Sequence, residues 1–271
     1  MLKSKPQTAP KNSKQKIPEW ATNHFKQSLD SNELLFRIIH LSEKGIGVLR
    51  GMPQITKVLA KVENSTDDPK SLKRIETAEK EAALAQTEME SGYPVLHGLA
   101  VVALWSWLEH FVKGFLTLWI LHRRDALVVP VMQKLKIRFG DYIQLNKTEQ
   151  AAYLVEMLEQ ELASSLKRGS NRFECLLDPF SLSGQLPEGC SKILFELQQI
   201  RNVMAHRNGK VDRRLKADCP WLKLRINQPV LVTSPMLRNY AEASVQFLVE
   251  LLYRVGDTYG KDLRPKDSDA T

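Results

Sequence analysis

"VLHGLAVVALWSWLEHFVKGFLTLWIL", residues 95–121, decides the fold. It is long and apolar enough to tempt a membrane assignment. Glu109, His110 and Lys113 interrupt its middle, where charge in lipid is costly. The better reading is a helix buried in a protein core, with no membrane contact. His122, Arg123 and Arg124 follow where cations suit a helix C-terminus. A central apolar helix makes the chain mainly α.

Working outward, "SGYP" at 91–94 separates this helix from a strongly charged one, residues 71–90, with a thin apolar stripe. "NSTDDPK" at 64–70 is a polar loop suited to helix entry. Residues 18–61 show helical patterning that breaks near Gly45, Gly47, Gly51 and Pro53. Downstream, Asn146 and Glu149 have capping-box spacing, and "KRG" at 167–169 reads as that helix's end. Residues 169–189 read as a polar loop. A helix over 191–207 repeats Ile193, Leu197, Ile200 and Met204 on one face; Gln199, Asn202 and His206 lie opposite. Asn208-Gly209 supplies its stop. "WLKLRI" at 221–226 and "VLVT" at 230–233 form a small hairpin candidate. Ser234-Pro235 opens a last helix running to Val255. The expected organisation is a disordered basic tail (1–16), a helical N-terminal extension (17–92), a helical domain (93–255) and a frayed polar tail (256–271).

A chain of 271 residues with 43% apolar content can bury a sizeable core, and its net charge of +8 favours a polyanionic partner. The charge is concentrated. Residues 201–225 hold eight basic side chains against Asp212 and Asp218, a local +6, and the first sixteen residues add five lysines and no acid. Cys175, Cys190 and Cys219 are odd in number and lack metal-ligand spacing, which fits a reducing cytoplasm. The N-terminus has no apolar core of a secretory signal. No phosphate loop, dinucleotide fingerprint or nucleophile elbow occurs. No metal site follows from His97, His110 and His122, and no cofactor is expected.

The stretch that could carry chemistry is "RNVMAH", 201–206. RNA can be cut by its own 2′-OH if a proton acceptor, a proton donor and a cation for the transition state are supplied. Histidine suits the proton work and arginine the phosphate. Arg201 and His206 are about 140° apart around a helix, whereas Asn202 and His206 share a face. Two copies of the helix meeting in a dimer would bridge that gap. The spacing therefore hints at a composite site. Arg207, Lys210, Arg213, Arg214 and Lys216 are the RNA-binding candidates. Trp221, among Lys216, Lys223 and Arg225, suits either base stacking or packing. Trp105, Trp107 and Trp119 read as core.

"LFELQQIRNVMAHRNGKVD", 194–212, resembles the signature helix of the HEPN superfamily, helical domains that include metal-independent RNases. "HGLAVVALWSWLEHFVKGFL", residues 97–116, resembles the family's early apolar helix, with Glu109 as its midway acid, and residues 230–255 resemble its ending. The resemblance covers about residues 93–255. It implies a four- or five-helix bundle that dimerises beside the motif helix. It also implies Arg201, Asn202 and His206 as active residues and a 2′,3′-cyclic phosphate product, in stress response or defence. Some relatives carry a tyrosine two places after the histidine; Asn208 stands there, which departs from the toxin–antitoxin branch. Glu109 has an alternative as the i,i+4 partner of Lys113. The runner-up function is a non-catalytic module binding RNA or protein, and the N-terminal third is a candidate docking site for a regulatory protein.

Overall fold

The computed structural model describes residues 16–163 and 168–265. Four helices come first: α1 (Glu19–Leu49), α2 (Met52–Val62), α3 (Pro69–Glu90) and α4 (Pro94–His122). Two short helices, α5 (Pro130–Gln133) and α6 (Phe139–Gln144), lead to α7 (Lys147–Glu161) and α8 (Asn171–Leu177). The chain ends with α9 (Glu188–His206), α10 (Arg213–Asp218) and α11 (Ser234–Thr258). The protein is mainly α, as its central apolar helix predicts.

α4 is apolar all round, so it needs neighbours on every side. It packs against α1, α7, α9 and α11, and Val101, Leu104, Leu108, Phe115 and Leu116 are buried. Among the described residues it is the one helix whose length and composition would allow a membrane crossing. Its charges leave the core on one side. Lys113 reaches Glu159 of α7 at 2.6 Å, and Glu109 lies 3.4 Å from Arg172 of α8. Glu109 and Lys113 thus have their partners on other helices, not on α4 itself.

α1 joins the same core. Phe25 meets Phe111 and Phe115 with ring centroids 5.2 and 5.6 Å apart, and Trp107 donates to the Ser28 carbonyl at 3.0 Å. Buried His97 of α4 sits between the Val232 carbonyl (2.8 Å) and Glu43 of α1 (2.9 Å), tying α1 to the segment before α11. α1 runs through Gly45 and Gly47 and pauses only at Arg50–Gly51. The expected breaks at the first two glycines do not form, because helix packing outweighs about 1 kcal/mol of glycine penalty per site. α3 lies against both α1 and α2, and Asp68 caps it by accepting from Lys70 and Ser71 N–H. Asn146 and Glu149 form the reciprocal capping box their spacing predicts.

Four expectations need correction. Residues 169–189 are not simply a loop: α8 buries Phe173, Leu176 and Leu177, and a seven-residue helix is too short for its periodicity to stand out. The hairpin of 221–226 with 230–233 does not form. Pro220–Leu222 is a 3-10 turn, Lys223 and Asn227 take positive φ, and the 228–230 segment pairs instead with 209–211. The cap of α11 is Thr233, one residue earlier than expected. The tail after 255 does not fray at once. α11 continues to Thr258, Lys261 N–H donates to the Gly256 carbonyl at 2.9 Å, and Arg264 pairs with Asp257 at 2.7 Å. The expected basic tail, save exposed Lys16, and most of the "KR" ending lie outside the described residues. α7 itself stops at Glu161.

Candidate nucleic-acid interface

α9 presents two chemically different sides. Leu194, Leu197, Ile200 and Val203 are buried against α4 and α11, and Met204 packs where Gly98 of α4 leaves room. The helix then ends where two residues take left-handed φ, Asn208 (51°) and Gly209 (68°). Gly209 N–H donates back to the Val203 carbonyl at 3.0 Å, satisfying an orphan acceptor of the last turn. Any side chain at 209 would be strained by φ and would press on the Met204 sulfur at 3.2 Å. The Asn-Gly stop therefore fixes where His206 sits and where the chain turns.

Beyond the turn, Val211 N–H donates to the Gln228 carbonyl and Asn227 N–H to the Val211 carbonyl, both at 2.9 Å. Val230 N–H donates to the Gly209 carbonyl at 2.8 Å. Asp212 caps α10 by accepting from Leu215 N–H at 2.7 Å. These bonds hold α10 and the 226–227 turn against the end of α9. An open groove of about 870 Å³ lies between them. Gln199, Asn202 and His206 form its α9 side; Arg207, Arg213 and Arg214 bring cations.

The groove is poor in compensating acid. Arg207 lies 4.0 Å from Asp212, and Arg214 3.7 Å from Asp218, which also pairs with Arg168. Arg213 is exposed and has no ion pair with a described residue. Loose surface pairs of this kind are worth about 0–1 kcal/mol. The three guanidinium groups remain able to exchange such partners for phosphate oxygens.

The expected site residues divide. Asn202 and His206 share the groove, with exposed His206 at its mouth, and Gln199 joins them but is buried. Arg201 does not line it. It lies on the flank of α9 towards Leu197 and Met204, half-buried, and its Nε is buried without a hydrogen-bond partner. Lys210 and Lys216 are exposed nearby without lining the groove. Glu109 is elsewhere. Gly98 marks the level of Met204 on α4, and Glu109 is eleven residues, about 16 Å, further along. It faces Arg172, so the intrahelical pair with Lys113 is replaced by pairs across helices. Trp221 hydrogen-bonds Glu196, Lys192 lies 4.6 Å over its ring, and the residue is 37% exposed. Those contacts tie it to α9.

Sequence reading missed Asp212, Ile226 and Asn227 as lining residues. The signal was Asn227 before Gln-Pro, a turn sequence suited to positive φ, masked by the apparent strand alternation around it. Among the described residues no three His, Cys, Asp or Glu side chains come together as a metal site requires. Compared with known proteins, the chain matches no family model, no curated protein and no solved structure.

Proposed function

We propose that the groove binds RNA and cuts it as a HEPN-type endoribonuclease, by attack of a 2′-OH on the adjacent phosphate. The observation that carries this reading is the meeting of Asn202 and His206 with Arg207, Arg213 and Arg214 in one open groove. In the proposed step the 2′-OH loses its proton and forms the new O–P bond. The 5′-oxygen leaves and takes up a proton, giving a 2′,3′-cyclic phosphate and a 5′-hydroxyl. His206 performs one of the two proton transfers, Asn202 orients the phosphate, and the arginines neutralise the charge that builds on it. These residues suffice without a cofactor.

Arg201 enters this scheme from the other flank of α9. Its guanidinium has no described carboxylate partner, which leaves it free to bind an anion. A two-fold dimer through α9 would offer it to the His206 of the second copy.

The test is cleavage of labelled RNA, with EDTA present, by wild type, Arg201→Ala and His206→Ala, all confirmed folded. EDTA-resistant cutting that both substitutions abolish, with cyclic phosphate ends, supports the proposal. Equal cutting by all three sinks it. Binding without cutting by wild type, unchanged in His206→Ala, turns the groove into an RNA-binding module.

A further inference from the structure

"LLFRIIHLSEKGIGVLRGMPQITKVLAKV", residues 34–62, carries a second pattern that the packed core does not use. The inner face of α1 against α4 is built from Phe25, Ser28, Asn32 and Ile39. On the outer side, Leu34, Ile38, Leu41 and Val48 of α1 are spaced by four, three and seven. Ile55, Leu59 and Val62 of α2 continue the same alternation, with Gly45 and Met52 at the two intervening positions. These seven large side chains are 43% to 74% exposed, where a solvated helix face would carry polar groups.

The phase survives the break between the helices. Arg50 (φ −56°, ψ −34°) and Gly51 (φ −84°, ψ −13°) both stay right-handed helical, so the repeat carries on from α1 into α2 across two helical residues. An alternation of three and four is the seam of a coiled coil, and it calls for a second helix of the same repeat. A lipid-facing helix needs a broader apolar face. Here Arg37 and Lys44 border the stripe on one side and Ser42 on the other, while Leu49 and Val58 widen it at the α2 end.

We propose that this seam is an antiparallel dimer interface with a second copy of the chain. Antiparallel pairing opposes Leu34 with Leu59, Ile38 with Ile55, Leu41 with Met52, and Gly45 with Val48 of the second copy. A parallel pair would instead set Gly45 against Gly45 and leave a layer without side chains. The antiparallel centre falls at residues 46–47. Beside it lies an apolar groove of about 500 Å³ lined by Leu49, Leu84, Val95 and Leu99, next to the two-fold axis. The seam is about 42 Å long and one helix wide, on the order of 400 Å². A stable interface covers roughly 800 Å² per partner, and the adjoining groove extends the seam towards that size.

This inference does not rest on the ribonuclease reading, whose own dimer would form through α9. Cross-linking separates the two. In a Cys175→Ser background the remaining native thiols, Cys190 and Cys219, are buried, and burial pushes them up to about 11 and about 12, which keeps them unreactive. Leu34→Cys and Leu59→Cys copies, mixed and oxidised, should form a mixed disulfide dimer. Leu34→Cys alone should not. Leu41→Glu, at an exposed position, should raise the dissociation constant on the order of 100-fold by light scattering, with helicity unchanged. A monomeric wild type, a self-linked Leu34→Cys dimer, or an assembly mass unmoved by Leu41→Glu would overturn the proposal. So would a monomer that binds phosphatidylserine vesicles through the same stripe.

Discussion

Two cation-rich regions of this protein differ in how their charge is met. At the junction of α4, α7 and α8, Lys113 and Arg172 face Glu159 and Glu109, one acid for each base. At the end of α9, Arg207 and Arg214 lie 3.7–4.0 Å from two carboxylates, one of them also held by Arg168, and Arg213 has no ion pair with a described residue. The first arrangement is closed and joins helices. The second has spare positive charge on an open groove, which is the condition for binding a polyanion. Net charge alone does not distinguish them; the distribution of acids does.

The comparison breaks most visibly if activity fails to follow the groove. His206→Ala and Arg201→Ala should each lower RNA cleavage by about 10²–10⁴-fold, in line with loss of a proton-transfer or charge-stabilising group. Glu109→Gln should leave cleavage within about twofold, because its partner is Arg172 and it sits about 16 Å along α4 from the level of Met204. A large loss in a folded Glu109→Gln protein would return that residue to the site.

A smaller effect sharpens the contrast in charge. Arg213→Ala with Arg214→Ala should weaken RNA binding by about tenfold at moderate salt and flatten the salt dependence by about two phosphate contacts. Fluorescence anisotropy across a salt series reads both numbers. Removing Arg172 should do the opposite. Arg172→Met should cost about 1 kcal/mol of stability, discounted for its partial exposure, while RNA affinity stays the same. Denaturant unfolding alongside the binding assay would check it.

The smallest effect concerns pH. Burial alone would raise the Glu159 carboxyl, but hydrogen bonds from Lys113 and Arg172 outweigh it and hold the group below its ordinary range. A lowered folded pKa contributes stability that is present above the unfolded value and lost as pH falls through the folded one. From about pH 5 to about pH 3, the melting temperature of wild type should therefore fall more steeply than that of Glu159→Gln. Parallel curves would mean that the network adds nothing to the fold.

Much of the fold was legible because helices announce themselves locally. The apolar run of α4, the Asn146 box and the Asn-Gly stop of α9 depend on neighbours within a turn or two. α8 escaped notice because seven residues hold too few repeats. The hairpin misled because alternation in 221–226 says nothing about partners, and residues 228–230 found theirs at 209–211 instead.

For the site, the sequence determined the residue types, the density of cations and the angular offset between Arg201 and His206, since helix geometry follows from spacing alone. Tertiary structure decided what long-range packing alone can set. It put Asn227 and Asp212 beside His206, sent Glu109 to Arg172, and buried Gln199. Those outcomes depend on contacts between residues far apart in the chain, and no local pattern encodes them.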